Sequence, residues 1–508
     1  MRSAEDPGRV APEFPPADLT LARPDAQRRS DQLPSGQRRD TRTTIGLAAL
    51  MIAPLVGVLD VFIVNVAAPS IERDLGSGFD AIQLVVGGYM LAFAMGLVTG
   101  GRIGDAFGRR RVFLAGLALF ATSSVGCAVA QNAPTLIGAR VVQGLAAAVM
   151  MPQVLAIVQV IVPPDQRAGV LGGYGAAQSV GAISGQVLGG LLVHLNLADL
   201  GWRAIFLVNV PLCALCWAGT VGAIPAGRPT ARARLDLPGV GLLSGALFLL
   251  LYPIVVGAQR GWPAWSILVP VASLAVFALF AGWELRVERG GGPALLPMHL
   301  FRDPSFADGV PGGLLLYTGN AGFYLVLAFF LQDGRQMSAL AAAEEFLPLG
   351  VTFALASLAS RRLIARLGNG ALRVGALVII AGLLLCYLGS LPSGAVAGAL
   401  ALQPGLVLCG IGQGLVVPSL IGAVLGRVHS ADAGAAAGGL LTMSQVGNAL
   451  GVAVVGAVFA SVAAGSGYQP AFRISMLVLT GIGILLLVAV VRLGRRAEES
   501  GGSAERSC

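Results

Sequence analysis

The chain has 508 residues, 55% of them hydrophobic and only 12% charged, whereas soluble domains carry about 25% charged residues. Such a surface cannot mostly face water, and apolar runs of about 20 residues recur along nearly the whole length, as in polytopic membrane proteins. The net charge of +8 does not mark a nucleic-acid partner, because the basic residues sit in short connections between apolar runs rather than on one face. All 34 basic residues are arginine; without lysine there is no G-x-x-x-x-G-K-[ST] phosphate loop, which argues against ATP as the energy source.

Residues 1–43 hold eight arginines, seven acids and six prolines with no sustained apolar run, and read as a disordered tail with no secretory signal. Fourteen candidate spans follow, at approximately 44–68, 80–100, 112–130, 134–158, 169–193, 204–223, 238–257, 265–283, 309–331, 344–361, 372–391, 397–425, 434–463 and 471–492. An even count puts both termini on one side. With that side cytoplasmic, 28 of the 34 arginines fall in the tails or cytoplasmic connections, as the positive-inside bias requires. The exceptions are Arg73, Arg140, Arg203, Arg260, Arg335 and Arg473. The sequence thus predicts a multi-pass protein of the cytoplasmic membrane with lipid around it and both termini inside.

In the first span, "LDVFIVNVAAPSI" places Asp60 well inside the apolar run. An ionised aspartate there costs on the order of 2.5–3.5 kcal/mol and needs a wet cavity or a partner. Asp60 lies about 12 Å below the outer end of its helix and Arg140, in the fourth span, about 9 Å below its own. Their similar depth suggests a pair, in which arginine stays charged and aspartate titrates. The alternative is a static ion pair that fixes packing.

Between the second and third spans, "GGRIGDAFGRRR" (residues 100–111) sets four arginines and Asp105 among glycines. The charges help to fix topology, but topology alone does not require Asp105 or the glycine spacing. In the fifth span Gly181, Gly185 and Gly189 repeat every four residues, giving one face on which a neighbouring backbone can approach closely; Gly190 follows. Gly434/Gly438 and Gly447/Gly451 make similar pairs in the thirteenth span. Gln143, Gln178, Asn320, Gln445 and Asn448 are uncharged polar groups within spans, suited either to contact a ligand in a cavity or to join helices. Glu344 and Glu345 open the tenth span, either as a second acidic site or as a solvated helix start favoured by the helix dipole.

Cys127, Cys213, Cys216, Cys386 and Cys409 lie in apolar spans and read as packing residues. His194, His299 and His429 show no metal-ligand spacing, and Gly410-x-Gly412-x-Gly414 is not a dinucleotide loop. No metal, cofactor or assembled nucleophile and base is implied, so an enzyme is not expected.

Gly101, Asp105, Gly108, Arg109 and Arg110 match the G-x-x-x-D-x-x-G-R-[KR] signature of the major facilitator superfamily, with Ala106 where a basic residue is usual. "LDVFIVNVAAPSI", "LIGARVVQGLAAA" (136–148), "GAISGQVLGG" (181–190, with Gln186 in place of proline), "WRAIFLVNVP", "LFRDPSF", "FLPLG" and "GIGQGLVVPSL" resemble, in order, motifs of its fourteen-helix drug:proton antiporters. The resemblance covers residues 44–492. It implies an all-α fold of two six-helix bundles (44–223 and 309–492) with two extra helices between them (224–308) and a C-terminal tail at 493–508. It further implies a small-molecule substrate exchanged for protons by alternating access. Asp60 and Arg140 would couple the proton, Asp105 and its arginines would latch the cytoplasmic side against a helix end of the opposite bundle, and the fifth-span glycines would help seal the cavity. A metabolite symporter or facilitator, or a transport-dead membrane scaffold or sensor, are the competing readings.

Overall fold

The structure, a computed structural model, describes residues 41–225, 236–292, 294–296, 298–368, 370–391, 399–425 and 433–505. The expected tail up to residue 40, most of the connection after the sixth span, and His429 lie outside them. Among the described residues every regular element is helical, and fourteen helices are long and apolar enough to cross a membrane.

In chain order these are α1 (Thr41–Leu75), α2 (Phe79–Phe107), α3 (Arg109–Ala128), α4 (Ala133–Ile161), α5 (Pro164–Leu195), α6 (Gly201–Ala223) and α7 (Leu237–Gln259). They continue with α8 (Ala264–Arg289), α9 (Pro304–Phe329, extended by a π turn to Gly334), α10 (Ala339–Leu367), α11 (Gly370–Gly389), α12 (Gln403–Leu425), α13 (Ala433–Ser466) and α14 (Tyr468–Glu505). The hydropathy pattern located each helix but underestimated most ends, because it stops where charge begins and a helix does not. Thus α1 starts at Thr41, inside the expected tail, and α14 runs to Glu505, through the region expected as the C-terminal tail. Three ends move inward: α3 stops at Ala128 rather than 130, α11 at Gly389 rather than 391, and α12 begins at Gln403 rather than 397.

Local chemistry explains the interruptions. Pro54 has no N–H to offer the Leu50 carbonyl, and α1 is broken at Met51, three residues before it. The charged stretch at 100–111 is not an open loop. Two helices run through it and only Gly108 separates them, at φ 96, a backbone conformation that excludes a side chain at little cost only for glycine. Gly368, at φ 52 between α10 and α11, marks the equivalent break in the second half.

Helices α1–α6 pack on one another, as do α9–α14, and α7 and α8 form a hairpin against α2 and α13. That hairpin is held by an apolar cluster of Ala94, Leu243, Leu247, Phe280, Leu295 and Val446. Within the first set the α5 glycines lie on the α1 backbone: a Cβ at Gly181 would stand 2.4 Å from the Leu55 oxygen, and one at Gly185 2.7 Å from the Leu59 oxygen. Gly447 and Gly451 of α13 meet the Leu314 and Thr318 oxygens of α9 in the same way, at 2.7 and 2.2 Å. Gly190 instead faces the other set, with Ala343 Cβ 2.5 Å from its own Cβ position.

Candidate functional site

A charged cluster occupies the core of the α1–α6 set. Asp60 and Arg140 are 0% and 1% exposed, and Arg140 Nη1 donates to Asp60 Oδ2 at 2.5 Å. The other carboxylate oxygen accepts from Gln143 Nε2 at 3.0 Å and Asn209 Nδ2 at 2.8 Å. Gln143 Oε1 in turn receives Arg140 Nη1 at 2.8 Å. Ser124 accepts from both amides, Gln143 at 3.2 Å and Asn209 at 3.0 Å, and passes its own proton to the Phe206 carbonyl. Arg140 completes its surroundings with the Val85 carbonyl, 3.2 Å from Nε, and the Tyr89 ring, whose centroid is 4.2 Å from the guanidinium carbon.

Five helices therefore contribute to one network around Asp60 and Arg140: α1 supplies Asp60, α2 Tyr89 and Val85, α3 Ser124, α4 Arg140 and Gln143, and α6 Asn209. Gln143 lies three residues beyond Arg140, hence on the same helix face. The α5 glycines, by admitting α5 against Leu55 and Leu59, fix the stretch of α1 that carries Asp60. A buried ion pair is tolerable only when its remaining lone pairs and protons are also satisfied, and here three donors satisfy the carboxylate. Protonating Asp60 would remove the charge that opposes Arg140 while leaving the guanidinium its Gln143, Val85 and Tyr89 contacts.

Depth along the first and fourth spans had suggested that Asp60 and Arg140 meet, and they do. Gln143, suited either to contact a ligand or to join helices, does the second: it donates to Asp60 of α1 and is 0% exposed. Asn209 and Ser124 were not singled out by sequence, being neutral and in apolar runs; Asn209's position inside the quoted "WRAIFLVNVP" was the available signal. Asn320 lines a small pocket within the second set, beside Gly319, Phe323, Cys409 and Gln413. Gln445 accepts from Asn448 one turn on, at 3.4 Å, and Gln178 is half-buried in α5. Gln186 is buried opposite Gly350 of α10. Cys213 and Cys216 are free and buried, and among the described residues no His/Cys/Asp/Glu group has the arrangement of a metal site.

At the Arg102 end, Asp105 accepts from Arg109 at 2.9 Å, both side chains part-exposed, and Arg109 also reaches the Ala156 carbonyl at 3.0 Å. Arg110 donates to the Val221 carbonyl, 2.9 Å away. Asp105 thus bonds within its own set of helices here, not to a helix end of the other. Gly104 lies against Gln153, which donates to the Gly100 carbonyl at 2.7 Å, and a Cβ at Gly101 would stand 3.7 Å from Pro152.

The two sets meet at the opposite end. Arg73 of α1 pairs with Asp333 after α9, Gln332 donates to the Val66 carbonyl at 2.7 Å, and Gln83 of α2 donates to the Val452 carbonyl at 2.8 Å. Phe62 meets Tyr324 edge to face at 5.2 Å, and Phe79 meets Phe329 at 4.6 Å. Glu344 is exposed, whereas Glu345 is buried and accepts from Gln403 at the start of α12. A solvated helix start describes the first of these acids and not the second. Burial lowers the pKa of nearby Arg335, with the Glu345 carboxylate opposing.

Comparison with known proteins adds four findings. A family model described as Major Facilitator Superfamily matches residues 50–452. The chain is 35% identical to the "Probable actinorhodin transporter" of Streptomyces coelicolor over 460 residues, 90% of this chain and 78% of that one. It is also 35% identical to puromycin resistance protein pur8 of Streptomyces alboniger, over 90% of this chain and 92% of that one. In fold it resembles a bacterial homolog of the human lysosomal transporter Spinster, solved inward-facing and unoccupied. The TM-score is 0.66 at 16% identity, covering 91% of this chain and 99% of that one.

Proposed function

The chain belongs to the drug-efflux branch of the major facilitator superfamily, a multi-pass membrane transporter and not an enzyme, and on that premise we propose that it exports antibiotic-like amphipathic molecules in exchange for protons. Similarity to an actinorhodin transporter and a puromycin resistance protein supports the cargo class. The observation that carries proton exchange is the Asp60 carboxylate, the titratable partner of an arginine that stays charged, buried at mid-span among five helices. In this reading residues 44–223 and 309–492 are the rocking bundles, 224–308 the inserted pair, and both termini lie in the cytoplasm.

Asp60, sealed here, takes and loses its proton in a state that opens the core of its bundle. Contacts at the Arg73 end close the outer side, and the Arg102 end is the cytoplasmic one, so the state described is closed to the outside. Asp105, paired here with Arg109, is then free of its latch, which forms with the opposite bundle in the outward-open state. Two bundles rocking about a midplane site is the general route of such transport. Glu345, buried near the outer mouth with Gln403 as a donor and Arg335 nearby, is a second acidic group for a cationic cargo.

Inverted membrane vesicles containing the protein, given a panel of antibiotics with and without an imposed proton gradient, test this reading. Gradient-dependent accumulation of at least one compound is expected, lost in Asp60→Asn. Movement that ignores the gradient would make the protein a facilitator, and no movement of any compound would favour a scaffold.

A further inference from the structure

The α7–α8 hairpin and the connection from α8 to α9 are clamped to one another by carboxylates. Asp236 caps α7, accepting from Gly239 N at 3.1 Å, and takes the Trp283 indole N–H at 2.9 Å. The next residue of α8, Glu284, accepts from Leu296 N at 3.1 Å, and one turn on Glu288 accepts from Met298 N at 3.0 Å and contacts His299 Nδ1 at 2.5 Å. The connection is thereby fixed along two successive turns of α8. Leu296 reaches α13, its Cδ1 2.9 Å from where a Gly439 Cβ would be, which ties the connection to the second bundle.

From the first bundle, Ala94 packs in one apolar cluster with Leu295 of this connection, and one side chain also hydrogen-bonds it. Arg102, half-buried at the end of α2, donates to the Ala294 carbonyl. Its charged neighbours are Glu284, Asp236 and Asp105, from α8, the start of α7 and α2. Glu284 is fully buried, and its Oε1 has no hydrogen-bond partner. A Cβ at Gly239 would stand 2.7 Å from that oxygen and 2.5 Å from Asp236 Oδ2, so the glycine leaves room for both acids. A buried carboxylate oxygen without a donor is costly, and Arg102 acts on this one through space, without an ion pair between them.

We propose that Arg102 and Glu284 are positioning residues of the transport cycle, fastening the α8–α9 connection, and through it the inserted pair and the second bundle, to the gate segment of the first bundle in the state described here. The proposal rests on the alternating-access reading. Rocking moves α2 relative to α9 and α13, and a contact from Arg102 to a connection anchored on α13 is made in one state and released in the other. The inserted helices thereby take part in setting which state is populated, rather than only filling the seam between α2 and α13.

Spin labels at Val160→Cys and Leu367→Cys, exposed residues at the Arg102 ends of α4 and α10, report the opening between bundles in the full-length protein in liposomes. Cys508→Ser removes the cysteine outside the described residues. Arg102→Ala is expected to shift the distance distribution toward the closed end by roughly fivefold or more, the loss of one charge-assisted bond. Arg102→Lys restores much of the open population by keeping the charge, and Glu284→Gln, which keeps an acceptor for Leu296 N, shifts it in the same direction as Arg102→Ala but less. If Arg102→Ala does not fold, the lysine and glutamine variants carry the test.

An unchanged distance distribution in folded variants, even with a lowered melting temperature, would reduce the cluster to a structural clamp and overturn the proposal. The measurement needs no substrate. A failure of drug export in the parent protein would refute the export reading and leave this result standing.

Discussion

The Asp60–Arg140 pair makes a quantitative prediction through a double-mutant cycle. Asp60→Asn leaves a guanidinium that is 1% exposed with Gln143 Oε1, the Val85 carbonyl and the Tyr89 ring but no counter-charge. Arg140→Met leaves a carboxylate that is 0% exposed with two amide donors and no cation. Breaking a buried pair from one side costs about 3–5 kcal/mol. The lower end is expected for both, because each survivor keeps at least two polar contacts. The double variant buries no charge and keeps volume, and replacing a whole pair by neutral groups is often close to free. It should therefore be more stable than the sum of the single variants by at least about 2 kcal/mol. Thermal and denaturant melting of the detergent-solubilised protein measures this, and strictly additive losses would refute the reasoning. Proton-driven uptake in inverted vesicles supplies the second readout. The double variant recovers stability but not coupling if Asp60 carries the proton, whereas coupling that returns with stability would make the pair a packing device.

The α5 contact predicts that Gly185→Ala, whose Cβ would meet the Leu59 oxygen at 2.7 Å, costs about 1–3 kcal/mol through overpacking. Gly173→Ala in the same helix, with nothing within 4 Å, should melt like the parent. Arg73→Ala removes the ion pair to Asp333 at the closed end; with Arg73 57% exposed, the loss is under about 1 kcal/mol. That is enough to raise the population open at this end up to about fivefold, as labelling of cysteines introduced beside Phe62 would show. Asp105→Asn should leave the melting temperature nearly unchanged, since its bond to Arg109 is part-exposed, yet slow export if Asp105 latches the other state. Unaltered export with an unaltered conformer balance would remove it from the gate.

How much of this was legible in the sequence depended on what signal each residue carries. A helix that must hide its backbone in lipid announces itself by length and apolarity, so the spans could be located without any contact information. Asp60 and Arg140 stood out because a charge in an apolar run has few explanations, and the helical rise put them at one depth. Asn209 and Ser124 carry no comparable signal: a neutral polar residue in a span can bond its own helix as easily as a neighbour, and only the packing of α3 and α6 against α1 decides. Glu284 was legible in principle, being an acid at the end of the eighth span. Its counterpart Arg102 was hidden among arginines that topology alone would explain. The charged segment at 100–111 falls between two expected spans for a similar reason, since charge marks the end of the membrane and not the end of a helix.

The two halves also differ where their shared architecture makes them comparable. Gly185 meets the Leu59 oxygen as Gly451 meets that of Thr318, and Gly144 meets the Tyr89 oxygen at 2.3 Å as Gly414 meets that of Phe353 at 2.4 Å. Counting from those contacts, Asp60 corresponds to Gly319, Arg140 to Gly410, and Gln143 to Gln413. The second half keeps the glutamine, which accepts the Tyr324 hydroxyl at 2.5 Å, but has glycines in place of both charges, and a small apolar pocket beside Gly319. Losing both members leaves no stranded ion, whereas losing either would have left one at a cost of several kcal/mol. The surviving glutamine needs only a hydroxyl. The positions of the second half that correspond to Asp60 and Arg140 are therefore neutral, and a step that depends on this pair has no counterpart there. Moving an aspartate and an arginine together to Gly319 and Gly410 would ask whether the position or the half matters. A transporter that then tolerates Asp60→Asn would show that the fold, and not the particular bundle, is what makes a buried carboxylate a proton carrier.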